Sequence, residues 1–212
     1  MEAAEARWTR RKQARPAEIL DAALTVFAAK GYAAARMDDI AREAGVTKGT
    51  IYLYFADKEA LFKALVSETI GPALGTVAAQ VQTAQGSARD LIRFALTTLA
   101  NLLMTNNRVA LPKIIIAESG NFPELARFYR FEVVAKGLAA FSTIVERGIA
   151  QGEFRPLPVE HIVRLCIAPA LFAAIWQVTF AQFDDAPTDY KSLIDTHLDV
   201  LFRGLAPQGA QP

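Results

Sequence analysis

Between Arg36 and Lys58 the chain gathers side chains that donate hydrogen bonds to anions and to the polar edges of planar rings: Arg36, Thr47, Lys48, Thr50, Tyr52, Tyr54 and Lys58. A lysine at the start of a helix can donate to guanine O6 or N7, and Lys48 is so placed. Gly49 beside it has no side chain, so the backbone there can approach another surface closely. Tyr52 and Tyr54 put two phenols on a short helix that cannot bury both. Lys58 falls in the first turn of the next helix, where a cation opposes the macrodipole. A phosphate at that helix end would gain from the dipole and the lysine together; failing that, Lys58 is simply solvated. A second basic group, Arg7, Arg10, Arg11, Lys12 and Arg15, has no acid within it. Arg10, Arg11, Lys12 and Arg15 are expected to add phosphate or minor-groove contacts, the alternative being a solvated tail.

The elements that must hold these groups are short helices. Leu20, Ala23, Leu24 and Phe27 repeat at helical spacing, with Pro16 suited to the first turn and Gly31 to the C′ position. Met37, Ile40, Ala41 and Ala44 make a second, short apolar face, broken at Gly45-Val46. Thr47 can cap a third helix, Lys48–Phe55, that buries Ile51 and Phe55. Asp57 can cap a fourth, beginning at Lys58. Ala41 is small where two helices cross, Gly45 permits a sharp turn, and Val46 and Ile51 fill the junction. This is the build of a helix-turn-helix, which presents the N-terminal end of its second helix to the DNA major groove.

The full string is more specific than the pattern. Ala17 to Leu65, including GYAAARMDDIAREAGVTKGTIYLYFADKEALFKAL, resembles the TetR/AcrR family of bacterial transcriptional regulators. The resemblance implies a three-helix DNA-binding head, residues 1–58, and an α-helical effector-binding and dimerisation bundle, residues 59–212. It also implies that Thr47, Lys48, Gly49, Tyr52, Tyr54 and Lys58 match the family's DNA-contacting positions. One departure stands out. The family usually has Thr or Ser before the second helix, where a hydroxyl caps it; here Ala35-Arg36 occupy those places. Arg36 can bind phosphate but cannot cap. Further on, LPKIIIAESGNFPELARFYRF, Leu111 to Phe131, resembles the C-terminal region of the AefR-like subgroup.

The remainder reads as helix throughout, giving an all-α chain. Leu61, Leu65 and Ile70 carry the fourth helix to an expected bend at Gly71-Pro72. Further stretches are expected at Ser87–Thr105, Asn107–Glu118, Pro123–Gln151, Pro158–Phe183 and Pro187–Leu205, with Asn121 as a cap and Glu124 reaching back. The last two offer a dimer interface as a four-helix bundle. The second carries the stripe Leu193, Ile194, His197, Leu198, Leu201 and Phe202, which could instead pack within one body, and the first, apolar throughout, could instead line a ligand cavity. A ligand pocket needs apolar walls and a few convergent polar groups. Candidates are Asn101, Met104, Glu118, Phe128, Phe172, Trp176 and Gln177, each of which could equally be packing or solvated.

Composition sets the outer bounds. The 212 residues are 52% hydrophobic and 21% charged with net charge +1, which excludes a wholly disordered chain. Residues 1–58 hold ten Lys/Arg against eight Asp/Glu, so the basic character is local. One cysteine, Cys166, excludes an internal disulfide and fits a reducing compartment. With only His161 and His197 beside it, no ordinary zinc site is expected. The basic N-terminal stretch runs into Pro16-Ala17-Glu18 rather than an apolar core, so no secretory signal is expected there. Residues 206–212 read as a frayed polar tail. Leu165–Phe183 is uncharged and approaches spanning length. Pro169, Gln177, Thr179 and Gln182 within it favour a buried bundle helix over a membrane anchor. No phosphate loop, paired metal-binding histidines or nucleophile elbow occurs, so neither catalysis nor a cofactor is expected. The sequence thus reads as a cytoplasmic, ligand-responsive DNA-binding regulator: a homodimeric repressor on a palindromic operator, released by a small apolar or amphipathic effector. The competing reading is an α-helical enzyme or carrier with an incidental basic N-terminus.

Overall fold

The computed structural model describes residues 2–84, 86–105 and 108–207, with side chains from Arg15 onward. The expected helix start at Asn107 and the tail beyond Pro207 lie outside the described residues, as do the side chains of Arg10, Arg11 and Lys12. Helices follow one another as α1 (Glu2–Ala34), α2 (Met37–Glu43), α3 (Lys48–Tyr52), α4 (Lys58–Thr83), α5 (Ala88–Met104), α6 (Ala110–Glu118) and α7 (Pro123–Tyr129). A π-helical turn, Arg130–Val134, joins α7 to α8 (Ala135–Ala150). Then come α9 (Val159–Thr179), a 3₁₀ turn at Ala181–Phe183, and α10 (Tyr190–Leu205). No strand occurs among the described residues.

Several element ends differ from expectation. Pro16 lies inside α1 and not in its first turn, because the helix already begins at Glu2. α3 is only one turn long: Leu53, Tyr54 and Phe55 leave it through bonds to the Thr50 and Ile51 carbonyls. α4 continues through Pro72, the site of the expected bend, as one helix. The long stretch expected from Pro123 is divided by the π-helical turn. Asn121 does not cap α7. The Phe122 carbonyl accepts from Leu125 and Ala126, and the Asn121 amide faces the Glu118 carboxylate.

The packing defines two compact units. The first joins Met1–Thr69 with Ala110–Tyr129, and the second joins Ile70–Val109 with Arg130–Pro212. The division expected after residue 58 differs from this in two places. Leu61, Phe62, Leu65 and Val66 of α4 are buried in the first unit's core. Phe62 meets Phe27 and Tyr32 edge-on, and Phe122 of the α6–α7 connection packs on Tyr32 with ring centroids 4.9 Å apart. Apolar area removed from water contributes roughly 25 cal/mol per Å², so the aromatic cluster, with buried Leu111 and Ile114 of α6, binds residues 110–129 to the N-terminal helices.

The second unit has its own core, built by α5, α8, α9 and α10 around Ile92, Leu96, Ile144, Val163, Cys166 and Leu198. α5 is capped by Ser87, and the Glu153 carboxylate also takes the Ala88 amide at 2.9 Å. Arg147 closes the other side of that connection on the Ala84 and Gly86 carbonyls. α10's stripe is largely internal: Ile194, Leu198, Leu201 and Phe202 are buried within the single chain. At these four positions the stripe packs within one body, while Leu193 stays 38% exposed.

Candidate nucleic-acid interface

Two glycines shape the first unit's surface. Gly31 takes φ 75° and ψ 169° near the end of α1, redirecting the chain toward α2. Gly45 takes φ 63° after α2, so the Val46 amide can return to the Ala41 carbonyl at 2.9 Å. Both torsions lie where side chains are disfavoured, as the sequence required of these positions. Ile51 at 0% exposure and Phe55 at 9% seat α3 against the core.

The N-terminal end of α3 is outward. Thr47 caps it, accepting the Thr50 amide at 3.3 Å, and the two hydroxyls lie 2.9 Å apart. Lys48 and Gly49 are exposed, Thr50 is half-buried, and Tyr52 is 46% exposed. Tyr54 is half-buried, its ring beside Phe55. Arg36 is exposed at the start of α2, whose N-terminus has no side-chain cap, as the Ala35-Arg36 departure implies. Thr47, Lys48, Gly49, Thr50 and Tyr52 thus lie along α3 and its cap, with Arg36 at the start of α2 and Tyr54 just beyond α3.

Acids within α2 partner the cations. Lys48 Nζ lies 2.9 Å from Asp38 Oδ1, and that carboxylate holds the ammonium above its ordinary range. Asp39 pairs with Lys30 at 2.9 Å and with Arg42 at 3.4 Å; the Lys30 hydrogen bond leads in holding its carboxyl below the usual value. Sequence reading missed both pairs, although acids at the first turn of α2 were visible beside the basic residues.

Lys58 departs from expectation. Its ammonium donates to the carbonyls of Tyr32 at 2.7 Å, Ala35 at 3.0 Å and Ala33 at 3.2 Å. It also lies 4.4 Å from the Tyr32 ring centroid. An ammonium has three N–H donors, so none remains for a phosphate in this arrangement. Burial lowers its pKa, opposed by the nearby Glu118. Lys58 thus braces the chain leaving α1, which explains a cation in the first turn of α4. Tyr32, under it, has its phenol pushed up to about 12, chiefly by burial and then by Glu59, Asp57 and Glu118.

The pocket candidates do not form one group. Glu118 and Phe128 belong to the first unit, Glu118 accepting the Ala33 amide at 3.0 Å and Phe128 lying under Lys63. In the second unit, Met104 packs beside Leu103, Val109 and Ala174. Asn101 and Gln177 are exposed, and Phe172 is 61% exposed. Trp176 lies between Phe172 and Phe180 with its ring tilted to both, and donates to Asp184 at 2.8 Å. A cleft of about 390 Å³ lined by Ile149, Gly152, Phe154, Arg155, Pro156 and Pro207 contains none of them. Among the described residues no cluster of His, Cys, Asp or Glu could hold a metal ion.

A capped helix presented beyond a glycine turn, on a unit separate from a helical bundle, defines a helix-turn-helix DNA-binding regulator. The family model for bacterial regulatory proteins of the tetR family matches residues 19–65, and that for the tetracyclin repressor-like C-terminal domain matches residues 82–190. The chain belongs to the TetR family of ligand-responsive, DNA-binding transcriptional regulators. It is 28% identical to the fatty acid metabolism regulator protein of Bacillus subtilis over 92% of this chain and 98% of that one. It is 30% identical to the uncharacterized HTH-type transcriptional regulator YdeS of the same organism, over 73% and 75% of the two chains. Among solved structures it resembles the transcriptional regulator FadR from Bacillus subtilis in complex with stearoyl-CoA, with TM-score 0.76, 25% identity, and 89% and 98% coverage.

Proposed function

We propose that the chain is a cytoplasmic repressor, without catalytic activity, that binds a palindromic operator as a homodimer and is released by an amphipathic acyl thioester. The carrying observation is the end-to-end similarity to the fatty acid metabolism regulator of Bacillus subtilis, supported by the likeness to FadR with stearoyl-CoA. Arg36, Thr47, Lys48, Gly49, Thr50, Tyr52 and Tyr54 contact DNA. Arg10, Arg11 and Lys12 bind further phosphates, and Lys58 acts indirectly by holding the chain after α1. Met104 and Trp176 are the pocket candidates that keep an apolar setting in the second unit.

Dimerisation is argued from exposed apolar side chains. α9 is long and apolar enough to cross a membrane, yet it packs against α5, α8 and α10. Leu165 at 59%, Phe172 and, on α10, Val200 at 65% remain uncovered in one chain. A second copy covering them would form an isologous interface and give two reading helices a fixed spacing. An effector favouring a different body conformation then lowers operator affinity by linkage, about 5–150-fold for a coupling of about 1–3 kcal/mol.

The test is selection of bound duplexes from a random library, followed by titration of the recovered operator with and without stearoyl-CoA. A recovered palindrome whose binding weakens with the thioester supports the reading. Tight binding unaffected by acyl thioesters of any chain length overturns the effector class. Retention of no duplex overturns the regulator reading.

A further inference from the structure

Glu118 ends α6, 85 residues beyond Ala33 in sequence, yet its Oε1 accepts the Ala33 main-chain amide at 3.0 Å. The same oxygen lies 3.6 Å from where a Cβ on Gly31 would stand. Gly31 is the left-handed residue that turns the chain out of α1. Immediately after it, Lys58 holds the carbonyls of Tyr32, Ala33 and Ala35. Residues 32–35 are therefore gripped from both sides of the backbone: carbonyls by a cation, an amide by a carboxylate. The next residue is Arg36, whose carbonyl accepts from Asp39 and Ile40 and so starts α2. α2 has no side-chain cap of its own. The grip also has a handle. Segment 110–129 is joined to the second unit at both ends, at Val109 and through the π-helical turn at Arg130. Irregular turns of that kind often mark functional positions in helices.

We propose that Glu118 is a positioning residue for DNA binding: its carboxylate on the Ala33 amide fixes the 32–36 connection and with it the α2–α3 pair. Glu118 is thereby assigned away from the ligand pocket, for which the sequence makes it one candidate. The proposal rests on the DNA-binding reading above but not on the identity of the effector.

The experiment uses the full chain, the selected operator duplex, and two variants. Glu118→Ala removes the acceptor; Glu118→Gln keeps an amide oxygen for Ala33 while removing the charge. Hydrogen exchange followed by mass spectrometry reads the 32–36 amides, and duplex titration reads affinity. Glu118→Ala is expected to speed exchange at 32–36 selectively and to weaken operator binding about tenfold, the scale of one hydrogen bond to a charged group. Glu118→Gln should stay within about threefold of the parent, as a neutral hydrogen bond still forms. Unchanged exchange and affinity in Glu118→Ala would overturn the proposal. So would faster exchange across the whole first unit, which signals a purely structural residue, or an equal loss in Glu118→Gln. An unmodified chain that binds no duplex fails the DNA-binding reading and the positioning role with it, whereas a binding parent with an unaffected Glu118→Ala fails the positioning role alone.

Discussion

Lys48 Nζ and Asp38 Oδ1 face each other across 2.9 Å, joining the first residue of α3 to the first turn of α2. The cation proposed to meet DNA is thus already partnered, on a solvent-facing surface. On that proposal, docking on a duplex exchanges this carboxylate for a base edge or a phosphate. Asp38→Asn is expected to strengthen binding to operator and to unrelated duplex alike, about two- to fivefold, because exposed ion pairs contribute little. Lys48→Ala should instead relax preference at one base position, at a cost of about 1–3 kcal/mol. Titration of both variants against operator and single-base mismatches checks this. Weaker binding by Asp38→Asn would mean that the pair orients Lys48 and does not restrain it.

The N-terminal basic group should act through phosphate alone. Removing residues 1–13 is expected to reduce the slope of log affinity against log salt by about 0.9 for each phosphate that the truncated chain no longer neutralises. Sequence preference should be untouched, because binding to phosphate carries no base information. Fluorescence anisotropy at several salt concentrations reads the slope, and an unaltered value makes this stretch a solvated tail.

The helix-turn-helix was readable because its signals are local. Gly45, Thr47, Ile51 and Asp57 each specify a torsion, a cap or a buried face within a few residues of themselves. Glu118 was not readable, because what it accepts lies 85 positions away and the same residue type would serve equally in a pocket or in water. Lys58 misled for a related reason: its unfavourable place beside a helix dipole correctly signalled a partner, but spacing cannot separate a phosphate from three carbonyls of the same chain. The α10 stripe was visible, yet periodicity cannot say whether an apolar face meets its own chain or a second copy.

That last point decides how assembly should be probed. Leu198 at 0% exposure and Leu201 at 9% are core residues, so a charge there damages the second unit itself. Val200 and Phe172 are uncovered. Val200→Glu combined with Phe172→Glu is expected to give a folded monomer by analytical ultracentrifugation, with unchanged circular dichroism and operator affinity reduced by more than about tenfold. A dimer persisting in this variant places the interface elsewhere.

His197 is expected to make the second unit sensitive to acid. Its Nε2 is buried without a hydrogen-bond partner, and burial lowers the pKa below the usual 6.5 despite a hydrogen bond with the Cys166 main chain. In the unfolded chain the imidazole takes up a proton more readily, so protons favour unfolding. The stabilisation is complete above about pH 6.5 and is lost as the pH falls through the lowered folded value. Melting temperature should therefore drop between pH 7.5 and 5.5, and His197→Gln should flatten that part of the profile. A parallel drop in both proteins would assign the acid sensitivity to other groups.

The place of α6 and α7 bears on how this regulator can be recombined. Phe122 covers Tyr32, and Glu118 holds Ala33, so the chain's first 69 residues leave part of their own core surface bare when taken alone. A hybrid made by a single crossover after the reading helices would pair them with a foreign α6–α7 segment. Swapping sensors between relatives calls for three junctions, near residues 69, 109 and 129, so that the donor contributes only what lies outside the cluster. In this chain the N-terminal helices and the segment that clasps them form one unit, although some forty residues of another unit separate them in the gene.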